Sequence, residues 1–134
     1  MLENTKLESL LNDPSLLSKK AYVAGEWVSA KDGKTFDVVN PATGEVIAKL
    51  PDLDVKDAKH AIDEAAIAQK KWAAYTGKER ASILREMYNL MTLNAKDLGI
   101  ILTSEMGKPL AEGTGEIAYA ASFFEWFGEE AKRI

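Results

Sequence analysis

Hydrophobic and polar positions change period once along this chain, near Pro51. Before it, apolar residues alternate with polar ones in short β-rich runs. Tyr22-Val23-Ala24-Gly25-Glu26-Trp27-Val28 reads as one strand, Thr35-Phe36-Asp37-Val38-Val39 as its partner across an Asp32-Gly33 hairpin turn, and Glu45-Val46-Ile47-Ala48-Lys49-Leu50 as a third strand. Asn40-Pro41-Ala42-Thr43-Gly44 supplies the turn between the last two, with Pro fixing φ and Gly free to take positive φ. After Pro51 the period becomes helical. Val55, Ala58, Ile62, Ala65, Gln69 and Trp72 recur at steps of three and four behind an Asp54 cap with Asp57 three residues on. Thr76-Gly77-Lys78-Glu79 is a capping box for a second helix with Ile83, Leu84, Met87, Tyr88 and Met91 on its inner face. Asn94, with Asp97 three later, is expected to cap a third helix through Leu98, Ile101 and Leu102, which Gly107 ends; Pro109 starts a fourth. Asp13-Pro14 opens a brief helical turn ahead of the strands.

The fourth helix carries Tyr119, Phe123, Phe124, Trp126 and Phe127, which fall on more than one face, so one neighbour cannot cover them all. No Gly or Asn follows Arg133 to close the helix, and the pattern is expected to be the opening of something larger.

Composition narrows the chemistry. At 134 residues, with 46% hydrophobic and 28% charged residues, the chain has the make-up of an ordinary globular domain. A net charge of -4 argues against a nucleic-acid partner, which needs a basic footprint. There are no cysteines, so this chain holds no thiolate nucleophile, thiolate metal site or disulfide. The polar start, Met1-Leu2-Glu3-Asn4-Thr5-Lys6, lacks the form of a secretory signal, and no run approaches a membrane span of ~20 apolar residues, so no membrane partner is expected and a cytoplasmic setting is.

Candidate sites are few. Gly113-Thr114-Gly115-Glu116-Ile117-Ala118 fits G-x-G-x-x-A, but no strand precedes it, so two glycines in a helix's first turns is the better reading. His60, the only histidine, lies away from the apolar stripe of its helix and reads as a surface residue. Glu125, Glu129 and Glu130 read as a solvated or salt-bridged face, with Glu129 and Arg133 spaced as an i,i+4 pair. Glu105 places a carboxylate at a helix C-terminus, where it opposes the dipole and calls for a cation or a basic side chain.

Taken in order, Gly25-Glu26-Trp27, Phe36 to Val46, Trp72, Lys78 to Leu84, Thr103 to Glu112 and Glu116 to Phe127 together resemble the N-terminal part of the aldehyde dehydrogenase superfamily. The closing Glu125-Trp126-Phe127 and Glu129 to Ile134 look most like succinate-semialdehyde dehydrogenases and related semialdehyde enzymes. The resemblance implies an α/β fold of the aldehyde dehydrogenase type. Within it this chain would form a small antiparallel hairpin or three-strand piece followed by four helices, without the parallel Rossmann sheet. Residues 1–20 would be an N-terminal helical lead and residues 21–134 an incomplete cofactor-binding domain.

The implied activity is NAD(P)-dependent oxidation of succinate semialdehyde, or a related semialdehyde, to the acid. In that chemistry a cysteine thiolate attacks the aldehyde, hydride passes to nicotinamide, and a glutamate-activated water releases the acyl group. No catalytic and no cofactor-binding residue is expected in this chain, nor tight binding of NAD or NADP, so it is expected to be inactive alone. Tyr119 and Phe123 match positions lining the aldehyde access tunnel. Val39, through its carbonyl, and Glu105 match positions that bind a structural monovalent cation. Family members are homo-oligomers, and the isolated chain is open to self-association. Gly113 and Gly128 stand where Ala is common; at ~1 kcal/mol each against Ala they suggest a tolerant sequence. The alternative is a non-catalytic helical interaction domain docking through its aromatic helix.

Overall fold

In the computed structural model, which describes residues 6–133, two small antiparallel sheets precede four helices. The strands are β1 (Ala21–Val23), β2 (Glu26–Val28), β3 (Thr35–Val39) and β4 (Val46–Pro51). The helices are α1 (Val55–Ala74), α2 (Gly77–Leu93), α3 (Ala95–Met106) and α4 (Leu110–Glu130). Met1 to Thr5 and Ile134, on which the reading of the chain's two ends partly rested, lie outside the described residues.

The expected antiparallel piece is present with a different strand count. Tyr22 to Val28 is not one strand: Ala24 and Gly25 both take positive φ (53° and 88°), the requirement of a two-residue type I′ turn, and fold the segment into the β1–β2 hairpin. Across it the Tyr22 and Trp27 rings stand 5.2 Å apart. Asp32-Gly33 does make a turn, closed by Gly33 N–H donating to the Ala30 carbonyl, but it links the two sheets and forms no hairpin. The Asn40–Gly44 turn is as expected. Gly44 sits at φ +74° and donates to the Asn40 carbonyl at 2.8 Å, while the Asn40 side chain accepts from the Ala42 amide.

Helix starts follow the side-chain chemistry. Asp54 accepts from the amides of Lys56 and Asp57, and Thr76 with Glu79 closes a reciprocal box. Asn94 precedes α3 as expected, its carbonyl accepting from the Leu98 amide at 3.0 Å, but its side chain does not cap that helix. Its side chain donates back to the Leu90 carbonyl at 2.9 Å, finishing α2 and leaving α3 without a side-chain cap. Gly107 ends α3 in the left-handed conformation. A Cβ there would come within 2.9 Å of Pro41 Cγ, so this helix end rests on the β3–β4 turn. At the far end α4 does not run on through Arg133. It closes at Glu130 in a tighter turn, in which the amides of Lys132 and Arg133 donate to the carbonyls three residues back.

Two packing centres result. One gathers Leu7, Leu11 and Leu17 of the lead with Ile47 of β4, and with Val38, Ile100 and Ile101 against them. The other is the seat of α4, whose main neighbours are α2 and α3. The apolar stripe of α1 is left largely uncovered: no residue of this helix is buried, and only Trp72 of the stripe is half-covered. The inner face of α2 also differs from the expected one. Ala81 is buried and Leu84, Tyr88 and Met91 half-buried, whereas Ile83 and Met87 join Leu90 on a second, exposed apolar face.

Asp97, in the first turn of α3, ties the lead to the helices. Its buried carboxylate accepts from the Asp13 amide at 2.8 Å and from Asn12 Nδ2 at 2.9 Å. These donors, the Asp13 amide foremost, hold its pKa below the ordinary carboxylate value. A depressed carboxylate stabilises the fold above its unfolded pKa of ~3.9 and loses that contribution as pH falls through the folded value. At pH 7, Asp97→Asn is therefore expected to raise hydrogen exchange at the amides from Leu7 to Leu17 about tenfold, and the two proteins converge as acidification protonates the Asp97 carboxylate. Equal exchange at pH 7 would show that Asp97 does not hold the lead.

Candidate functional site

α4 has two faces of opposite character. The inward one presents Gly113, Ile117, Ala121 and Gly128, all buried, with Phe124 half-buried between them. Small side chains let the helices approach closely. A Cβ on Gly99 would lie 2.6 Å from Thr114 Oγ1 and 3.0 Å from its Cα, and one on Gly113 would lie 2.5 Å from Thr103 Oγ1 and 3.0 Å from the Gly99 carbonyl oxygen. Gly77, opening α2, has no room for a Cβ beneath the Ala131 carbonyl. Gly113 is thus required by packing and is no sign of a tolerant sequence. Gly128 differs, because a Cβ there would meet Leu84 Cβ at an ordinary 3.5 Å.

With that face seated, the stripe Tyr119, Phe123, Trp126 and Phe127, spaced four, three and one, turns outward. These residues are 66%, 46%, 64% and 56% exposed. The Tyr119 and Phe123 rings meet edge to face at 4.9 Å. They line an open groove of about 820 Å³ with Ser122, Trp126 and the charged residues of the helix.

Arg85, which sequence reasoning missed, ties α4 to α2. Its guanidinium donates to Glu125 Oε1 at 2.8 Å and to Glu129 Oε1 at 2.9 Å, and lies 5.2 Å from the centre of the Tyr88 ring. The one signal in the sequence is an arginine set between Leu84 and Tyr88 on a packed face. The Glu129–Arg133 pair does not form: Glu129 takes Lys132 and Arg85, and Arg133 takes Glu130 at 3.2 Å. Lys132 first and Arg85 second draw the Glu129 pKa down. Lys108 pairs with Glu116 across the start of α4.

The two candidate cation ligands sit on neighbouring elements. Val39 ends β3 beside an irregularity in the β3–β4 register, and Glu105 lies in the last turn of α3, the helix whose end rests on Pro41. Glu105 is exposed and has no hydrogen-bond or ion-pair partner among the described residues, and the desolvation it does undergo raises its pKa. No group of three or more His, Cys, Asp and Glu side chains is placed to hold a metal among the described residues. The Gly113–Ala118 run lies inside α4 and is not set as a dinucleotide loop. Gly113 is spent on the contact with α3, and no strand leads into α4. His60 is exposed on α1, as expected. No helix among the described residues is long and apolar enough to cross a membrane.

Residues 27–134 match the model of the aldehyde dehydrogenase family. Over 124 residues, 92% of the chain, the sequence is 53% identical to a glutarate-semialdehyde dehydrogenase of Pseudomonas aeruginosa and 49% identical to the NADP(+) succinate-semialdehyde dehydrogenase of Escherichia coli. It spans 26% of the length of each. A succinate-semialdehyde dehydrogenase crystal structure from Burkholderia pseudomallei superposes with a TM-score of 0.89 at 51% identity, over 92% of this chain and 26% of that one.

If the Arg85 fork sets the seat of α4, Arg85→Met lowers the urea midpoint for helix loss. Raising salt to about 1 M, where the Debye length falls to ~3 Å and exposed ion pairs are weakened, is expected to move the parent towards the variant and leave the variant nearly unchanged. A midpoint insensitive to the substitution would remove Arg85 from the account.

Proposed function

The chain belongs to the aldehyde dehydrogenase family, and we propose that it is the N-terminal part of an NAD(P)-dependent dehydrogenase oxidising succinate semialdehyde, or a related semialdehyde such as glutarate semialdehyde, to the acid. The observation that carries this reading is the 53% and 49% identity to glutarate- and succinate-semialdehyde dehydrogenases over the same 124 residues. Residues 21–134 contribute part of the cofactor-binding domain, and residues 1–20 are its lead, of which Leu7, Leu11 and Leu17 pack on β4 and α3.

In this reading Tyr119 and Phe123 line the passage by which the aldehyde arrives. Their edge-to-face pair gives that wall a largely apolar, aromatic shape. Val39 and Glu105 hold a structural monovalent cation between the β3–β4 turn and the end of α3, where the charge would satisfy the unpaired carboxylate. NAD or NADP supplies the hydride acceptor and is held by residues outside this chain. The setting is cytoplasmic, the family enzyme is a homo-oligomer, and nucleic acid is no partner for a chain of net charge -4. A second reading, a non-catalytic interaction domain, is favoured only by the exposure of the α4 stripe.

The nucleophile is the deciding part. The chain has no cysteine, so the thiolate on which this chemistry depends must come from elsewhere. The purified chain, given succinate or glutarate semialdehyde and either nicotinamide cofactor, is expected to produce no reduced cofactor above background. Turnover that tracks the purified protein would overturn the cysteine-based reading.

A further inference from the structure

A second groove, of about 450 Å³, lies where the lead meets the β3–β4 turn, and it shares no residue with the groove of α4. Its volume falls among those of small-molecule sites, about 300–1,000 Å³. Leu10 of the lead and Val46 of β4 line it while 57% and 47% exposed, and the buried Leu7 and Ile47 lie beside them. The lead wall stands ahead of Trp27, where the match to the family begins.

Lys6 and Glu45 border this groove with opposite charges, and neither forms an ion pair among the described residues. Other charges of the lead and the strands behave differently: Lys19 takes Glu8 at 2.7 Å, and Lys49 takes Asp37. The Glu45 carboxylate accepts only from Thr43 Oγ1, at a long 3.4 Å. Asn40 spends its side-chain oxygen on the Ala42 amide, which leaves its NH₂ group to donate. Ser104 donates to the Ile100 carbonyl, which leaves its oxygen to accept. The groove thus offers an ammonium, a carboxylate, a spare donor, a spare acceptor and an aliphatic wall. A simple anion would leave Glu45 unmatched, a simple cation would leave Lys6, and a hydrocarbon would leave both. A zwitterion with an aliphatic side chain meets all of them.

We propose that this groove binds a small aliphatic amino acid, its carboxylate towards Lys6 and Asn40, its ammonium towards Glu45 and Ser104, and its side chain over Leu10 and Val46. Lys6 and Leu10 belong to the lead, whereas Glu45, Val46 and Ser104 belong to the β3–β4 segment and α3. The ligand therefore fastens the lead to the body, and binding and lead docking are linked. The site needs neither a cysteine nor a nicotinamide, so it stands or falls apart from the semialdehyde reading.

The probe is L-leucine, titrated into the chain and followed by the backbone amide chemical shifts. Exposed ion pairs each contribute little, so a Kd of about 1 mM is expected, with shifts gathered at Leu7, Leu10, Thr43, Glu45 and Val46. At a leucine concentration ten times Kd, hydrogen exchange of the lead amides slows about tenfold, in proportion to 1 + [L]/Kd. Isocaproate, which lacks the ammonium, and isopentylamine, which lacks the carboxylate, each bind about tenfold more weakly or worse. Leucine binds Lys6→Met and Glu45→Gln with the same loss, while the far-UV circular dichroism of both variants matches the parent. No saturable shift up to about 20 mM leucine, or shifts centred elsewhere, overturns the proposal. So does undiminished affinity for either truncated probe or in either variant.

Discussion

Everything in the helical half depends on how closely α4 can lie against α2 and α3. Ala121, 1% exposed, is the most buried of the named apolar residues, and it stands between close approaches on either side. Gly113 crosses Gly99 and Thr103 at one end, and Gly128 faces Ala81 and Leu84 at the other. Packing of this kind gains from many short contacts and tolerates no added volume where backbone meets backbone. Once the small residues are inside, the helical period leaves Tyr119, Phe123, Trp126 and Phe127 nowhere to point but out.

The β half is joined to the helical half by two different devices. Apolar packing brings Leu7, Leu11 and Leu17 over Ile47 and the α3 residues Ile100 and Ile101. Polar contacts then fix the register, through Asp97 on the lead and through Gly107 resting on Pro41. The outcome is that β3 and the β3–β4 turn lie against α3 and its end. The same scaffold presents the aromatic wall of α4 on a different element. Both belong to one rigid arrangement only because α3 packs against the lead on one side and α4 on another.

Much of this was legible from residue order. The boxes at Asp54 and Thr76, the Asn40–Gly44 turn, the Gly107 stop and the count of four helices all follow from local chemistry, and the family follows from ordered motifs. The misreadings arise where tertiary contacts decide. Alternation through Tyr22–Val28 concealed a turn, because Ala24 is a poor predictor of positive φ. α2 carries two apolar stripes, and nothing local says which one meets α4. The Asn94 side chain could serve either helix and serves α2. Arg85 was invisible because its partners lie 40 and 44 residues away. Gly113 looked like a blemish until the helix opposite it was in place.

The central claim, that absent side chains on α4 and α3 set the packing and so turn the aromatic stripe outward, is tested by moving one methyl group along α4. Gly115 faces open space, so Gly115→Ala should gain helix propensity and raise stability by about 0.5–1 kcal/mol. Gly113→Ala makes the same change two residues earlier, against Thr103 and the Gly99 carbonyl. There overpacking of about 1–3 kcal/mol should outweigh the propensity gain. Urea titrations of helix signal for the two variants give the comparison directly. Opposite shifts of the midpoint, upward for Gly115→Ala and downward for Gly113→Ala, are the predicted result, and an equal stabilisation by both would contradict it.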